Sequence, residues 1–177
     1  MILRARVCVV GITAATFCAA LLVPATPAYA SAPGLAISVP SSVSFGSFSA
    51  GARTITANLG TVTVETSSAL AHDATWTATV STTAFTTGGG SAAERVAAGS
   101  VTYLAGTATA SSGFGVNACA PGQVTAASLS VSRTAFSCTG VSLSPSTSLS
   151  WNPQITIAVA DSNVVGTYTG TITHSVV

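Results

Sequence analysis

From residue 31 onward, few side chains can act as acid, base, soft nucleophile or metal ligand: His72, His174, Glu65, Asp73, Glu94, Asp161, Cys119 and Cys138. Serine and threonine, by contrast, make up about a third of the same stretch. A serine becomes a nucleophile only beside a base that a third group orients. His72-Asp73 lies in a turn-like stretch, His174 falls in the phase of an apolar row, and no Gly-x-Ser-x-Gly elbow is present. Glycoside hydrolysis needs two carboxylates ~5–10 Å apart across a cleft, and all four acids read as turn or surface residues. Calcium would need clustered oxygen ligands. Gly88-Gly89-Gly90 lacks the Lys and the helix start of a phosphate loop and reads as a hairpin tip. The sequence therefore assigns no catalytic, cofactor-binding or metal-ligating residue. A small secreted hydrolase built on the two histidines remains as a third alternative.

Two tryptophans offer a different chemistry. An exposed indole stacks on sugar rings, whereas a buried one fills a core. Trp76 sits in a strongly alternating segment, which favours a place in the core, and Trp151 directly precedes Asn152-Pro153 at a strand entry, where burial and partial exposure are both open. Together with His174 they are the candidate contacts for a wall or ligand.

The elements that must position these groups follow from hydrophobic period. Val43 and Phe45, Val62 and Val64, Trp76, Ala78 and Val80, Leu129 and Val131, and Ile155, Ile157 and Val159 each alternate with mostly hydroxylated or small residues. The last segment is the longest: Tyr168, Gly170, Ile172, His174 and Val176 share one phase, and Thr167, Thr169, Thr171, Thr173 and Ser175 the other. Turn signals at Gly88-Gly89-Gly90, Gly113, Pro121-Gly122, Asn152-Pro153 and Asp161-Ser162-Asn163 separate the runs. The pattern predicts an all-β protein, an immunoglobulin-like antiparallel β-sandwich of eight or nine short strands, with a jelly roll or barrel as alternative. One short helix is expected over residues 92–98, and Gly46 is expected to bend or bulge its strand.

Composition narrows the functional classes. The chain has 177 residues, 48% apolar and 5% charged, with five Arg, no Lys and a formal charge of +1. A nucleic-acid partner held by a basic face is excluded, because counterion release requires clustered cations. Mean hydropathy is +0.64, yet beyond residue 30 no apolar run approaches the ~20 residues of a spanning helix. The first 30 residues read as a secretory signal: Arg4 and Arg6, an apolar stretch from Val7 to Val23, then Ala28-Tyr29-Ala30 with small residues at the two peptidase positions. Cleavage is expected after Ala30. That leaves residues 31–177 as a single domain with three Arg against four acids, no membrane span, and a secreted or cell-surface location. In an oxidising compartment Cys119 and Cys138 are expected to form a disulfide.

Three segments resemble the WxL family of Gram-positive surface domains: Leu59–Val64, Thr75–Ser81 with Phe85 after it, and Ile155–Ile157 with Gly166–Thr173. The resemblance spans residues ~36–177. The two Trp-x-Leu motifs that name the family would fall on Trp76-Thr77-Ala78 and His174-Ser175-Val176, so Leu is replaced by Ala in the first, and Trp by His and Leu by Val in the second. The resemblance implies a non-catalytic protein without cofactor that associates noncovalently with cell-wall peptidoglycan. The alternative is a structural or adhesive subunit that pairs with other surface proteins through a strand, the uninterrupted run from Gly166 to Val177 being the feature that suggests it. N-terminal sequencing of the chain recovered from the medium or wall of a secreting Gram-positive host should begin at Ser31. A chain that begins at Met1 would remove the export assignment.

Overall fold

The computed structural model describes residues 2–7, 27–32, 34–47, 53–67, 75–142 and 146–177. Among these residues seventeen short strands, numbered in chain order, build three sheets around one core. The first sheet runs β12 (Phe114–Pro121), β14 (Arg133–Ser142), β7 (Trp76–Thr82), β17 (Thr167–Val176), β1 (Ile2–Val7), β4 (Ser42–Ser47). The two-residue strands β8 (Phe85–Thr86) and β9 (Arg95–Val96) attach beside β17. The second runs β11 (Ala108–Ser112), β15 (Thr147–Trp151), β6 (Val62–Thr66), β3 (Leu35–Val39), β2 (Ala28–Ala32). The third runs β13 (Ala127–Ser128), β10 (Val101–Leu104), β16 (Gln154–Val159), β5 (Arg53–Asn58). Neighbouring strands are antiparallel except β1, which lies parallel to β17. Among the described residues no helix is long and apolar enough to cross a membrane.

The all-β class follows from the alternation. Val62 and Val64, Trp76, Ala78 and Val80, and Ile155, Ile157 and Val159 are buried, as are Tyr168, Ile172 and His174 of β17. They join residues of all three sheets in one apolar cluster that includes Ile37, Phe85, Tyr103, Phe136, Leu149 and Trp151. β6, β7, β15, β16 and β17 thus turn one face inward and the other toward water, whereas β11 is exposed along its length. Gly46 has φ +80°, and the register of β4 against β1 slips between Ser44 and Ser47, which is the expected bulge.

Three local expectations change. The strand count exceeds eight or nine, because bulges and turns divide the chain more finely. The segment around Leu129 and Val131 is a turn after β13: the Ser128 hydroxyl accepts the Ser130 N–H (3.2 Å) and donates to the Gly99 carbonyl (3.0 Å). That local bond competes with strand pairing, so Leu129 is buried but Val131 is exposed. The expected helix over 92–98 is instead a 3-10 turn Ala92–Glu94, strand β9, and a second 3-10 turn Ala98–Ser100. Seven residues nucleate a helix poorly, and Val96 gains more by pairing with Phe85 and burying itself.

The Gly88–Gly90 tip is closed by a carboxylate. Glu94 accepts the Ser91 N–H at 3.0 Å, and backbone hydrogen bonds from Ser91, Gly89 and Gly90 hold its carboxyl below the usual range. Gly88 and Gly90 have positive φ, and a Cβ on Gly88 would run into the Glu94 carboxylate. The tip is therefore an anion-closed turn rather than a slack loop.

Cys119 and Cys138 stand directly opposite on β12 and β14 and are disulfide-bonded across a separation of 19 residues. Removing both thiols as Cys119→Ser/Cys138→Ser should lower stability by ~3 kcal/mol, the chain entropy of such a loop, read as a lower denaturant midpoint. A second test concerns packing. A Cβ on Gly170 would lie 2.8 Å from the Phe85 ring, so Gly170→Ala should destabilise by about 1–3 kcal/mol through overpacking. An unchanged midpoint would show that Phe85 can move aside.

Candidate functional site

The three residues expected to meet a ligand all lie inside. Trp76 is 2% exposed, and Trp151 and His174 are fully buried. As contacts for a wall they are corrected: each sits in the inward phase of its strand, where its ring fills the core. Trp151 Nε1–H donates to the Tyr103 hydroxyl at 3.1 Å, and that hydroxyl lies 3.2 Å from His174 Nε2. The Tyr103 hydroxyl thus bridges the two rings, accepting from Trp151 and sharing one hydrogen bond with His174 Nε2 whose direction is set by the imidazole tautomer. Phe136 stacks on Trp151 with ring centroids 5.1 Å apart. Among the described residues His174 Nδ1 and Trp76 Nε1 have no hydrogen-bond partner. Burial lowers the His174 pKa to about 4 and pushes the Tyr103 phenol above its ordinary value. The rings of Trp151, Tyr103 and His174 are buried at 0% exposure and fill the core.

His72 and Asp73 lie outside the described residues. Ala28 and Ala30, the expected peptidase positions, are on the edge strand β2, paired with Val39 and Ile37. Among the described residues no three of His, Cys, Asp and Glu come together as a metal site.

What the fold does bring together is a hydroxyl-rich surface on the second sheet. Register places Ala36, Glu65, Ser148 and Ser112 in one row across β3, β6, β15 and β11, and Ser38, Thr63 and Ser150 in the next. The rows are tied by hydroxyl pairs: Thr63 Oγ1 to Ser150 Oγ at 2.8 Å and Ser112 Oγ to Ser148 Oγ at 2.9 Å. Beside them a cleft of about 520 Å³ opens between Gly34–Ala36, Glu65–Ser67, Ser112 and Ser146–Ser148. Its wall is stiffened by the buried pair Thr66–Thr147, whose hydroxyls are 2.7 Å apart, with the Thr147 N–H also reaching Thr66 Oγ1 at 3.2 Å. A shallower depression of about 150 Å³ continues past Glu65 to Ser38, Thr63 and Tyr29. Tyr29 is 70% exposed and would leave with a leader cut after Ala30; the larger cleft uses no residue before Gly34.

Chemically the cleft offers hydroxyl donors and acceptors and a single carboxylate, Glu65. Such a set hydrogen-bonds neutral, polyhydroxylated groups. Of the described carboxylates only Glu65 lines it; Asp73 lies outside the described residues. Sequence patterning could not single these residues out, because serine and threonine are everywhere. The one signal was Glu65 itself, an acid in the outward phase of Val62-Thr63-Val64-Glu65-Thr66. No protein-family model matches the chain, and no curated protein matches it.

Burial of neutral His174 predicts a pH dependence of stability. Its folded pKa lies below the ordinary 6.5, at about 4. The unfolded chain therefore binds the proton first, and stability present above pH 6.5 is lost as pH falls towards 4. The full loss amounts to ~3 kcal/mol. His174→Gln, which keeps an acceptor for Tyr103, should flatten this window in pH-dependent denaturation. An unchanged slope would transfer the effect to other groups.

Proposed function

We propose that this chain is an exported, non-catalytic surface domain of a Gram-positive cell that associates noncovalently with wall peptidoglycan through the cleft beside Glu65. The observation that carries the proposal is the cleft itself: Ser and Thr hydroxyls held in pairs around Glu65, with no described lining residue before Gly34. Sugar hydroxyls are recognised by such donor–acceptor sets, and a charged acceptor strengthens each bond it takes. The neutral surface, with 5% charged residues, suits a glycan more than a charged polymer.

The WxL-like frame supports the same assignment. Its three segments fall on β6, β7, and β16 with β17. The positions of the two degenerate Trp-x-Leu motifs lie on paired strands, where Val176 stands opposite Ala78 and His174 opposite Val80. In this domain the motif residues build the interior, so wall contact falls to the hydroxyl face. Among the described residues Glu65 is the one carboxylate lining the cleft, which supports binding over hydrolysis.

Purified insoluble peptidoglycan should retain the secreted chain above an unrelated secreted sandwich. Glu65→Gln should weaken retention about tenfold, the loss of charge assistance being worth roughly 1.5 kcal/mol, with an unchanged thermal midpoint. Equal retention of the unrelated control would remove the proposal. Equal retention of Glu65→Gln would move the contact off this face.

A further inference from the structure

The position of residues 2–7 is at odds with their expected fate. They form β1, a strand inside the first sheet, hydrogen-bonded to β17 on one side and β4 on the other. Yet Arg4 and Arg6 mark them as the positive start of a leader, which stays on the cytoplasmic side during export and is then cut away. Among the described residues β4 pairs with no other strand, and over 167–172 the flank of β17 away from β7 and β8 pairs only with β1. Strands lie ~4.8 Å apart, so removing β1 leaves a gap ~10 Å wide with unpaired backbone on both walls.

We propose that this gap is a strand-acceptor slot. In the mature protein an extended segment of another surface protein fills it, parallel to β17. The inference rests on the export reading given above but not on wall binding.

Register specifies the occupant. Position 3 of the present strand faces Tyr168, position 5 faces Gly170 and Val43, and position 7 faces Ile172. Tyr168 and Ile172 are buried core residues, so positions 3 and 7 call for apolar residues. Phe85 occupies the space over Gly170, within 2.8 Å of where a Cβ would be, so position 5 calls for a small one. Positions 4 and 6 stand opposite Thr169 and Thr171 on β17 and the exposed Ser44 and Ser42 on β4, where polar residues fit. The partner segment is therefore apolar–polar–small–polar–apolar. Leu3-Arg4-Ala5-Arg6-Val7 satisfies it and serves as the probe. Main-chain hydrogen bonds to both walls supply affinity, and the alternate positions supply selectivity.

The experiment compares the chain recovered from a secreting host with the full chain 1–177 refolded in oxidising buffer, each titrated with a labelled peptide of residues 1–7. The secreted chain, shown by N-terminal sequencing to lack residues 2–7, should take the peptide, and amide exchange over 167–172 should slow on binding. The full chain, its slot filled in cis, should bind at least tenfold more weakly, and an Ala5→Trp peptide should bind the secreted chain at least tenfold more weakly. A secreted chain that is unfolded alone but folds with the peptide also supports the slot. No capture, equal capture of the Ala5→Trp peptide, equal capture by the full chain, or a secreted chain that keeps residues 2–7 would overturn it. So would a dimer that no longer takes the peptide, since a second copy would then be the occupant. Peptidoglycan retention of the same preparation reports on wall binding separately.

Discussion

The hydrogen-bonded chain from Trp151 through Tyr103 to His174 joins one residue from each of the three sheets, on β15, β10 and β17. Its geometry is demanding. Each ring must enter the core at a height that lets a polar edge meet its neighbour, and an indole or phenol left without a partner there is costly. The chain therefore sets how the sheets sit on one another, and the aliphatic residues fill the space around it. His174 takes part only as a neutral ring, so the same contact that orders the core makes it sensitive to acid. Among the described residues the unpartnered Nδ1 of His174 and Nε1 of Trp76 show that shape, more than full hydrogen-bond satisfaction, decides this interior.

Outside the core, hydroxyls take the place that ions hold in most surfaces. Thr56 and Thr156 (2.9 Å), Thr63 and Ser150 (2.8 Å), and Ser112 and Ser148 (2.9 Å) are directly opposed pairs on neighbouring strands, and Thr66 and Thr147 (2.7 Å) form a buried pair of the same kind. Such pairs add a few tenths to ~1 kcal/mol each to a sheet. They carry no net charge, so salt does not screen them. The cleft beside Glu65 opens next to two of these pairs, Ser112–Ser148 and Thr66–Thr147, which is why the proposed glycan contact is placed there.

The segment expected as a leader also contributes strands. Residues 2–7 supply a strand between β17 and β4, and residues 28–32 supply the edge strand β2. A cut after Ala30 would remove all of the first and most of the second, and so would open backbone on two sheets. The hydroxyl cleft is lined from Gly34 onward and would lose no lining residue, whereas the proposed slot beside β17 would exist only after such a cut.

Strand class, the inward rows of β6, β7, β16 and β17, the Gly46 bulge and the Cys119–Cys138 pairing were all legible from residue order. They depend on period two, on backbone freedom at glycine, and on an even cysteine count, which are local or compositional properties. The turn at Ser128–Ser130 was not legible, because a single side-chain hydrogen bond to Gly99 outweighs the Leu129/Val131 alternation. Nor was the fate of the aromatics: period says that Trp76 and His174 share the inward phase of their strands, but not that Trp151 reaches Tyr103 from a different sheet. The hydroxyl cleft was hidden for the opposite reason. When a third of residues are Ser or Thr, no spacing distinguishes the few that converge, and only the register of β3, β6, β15 and β11 selects them. Alternation along a strand is written in neighbours, whereas which strands lie side by side is settled by how three apolar faces close over one core.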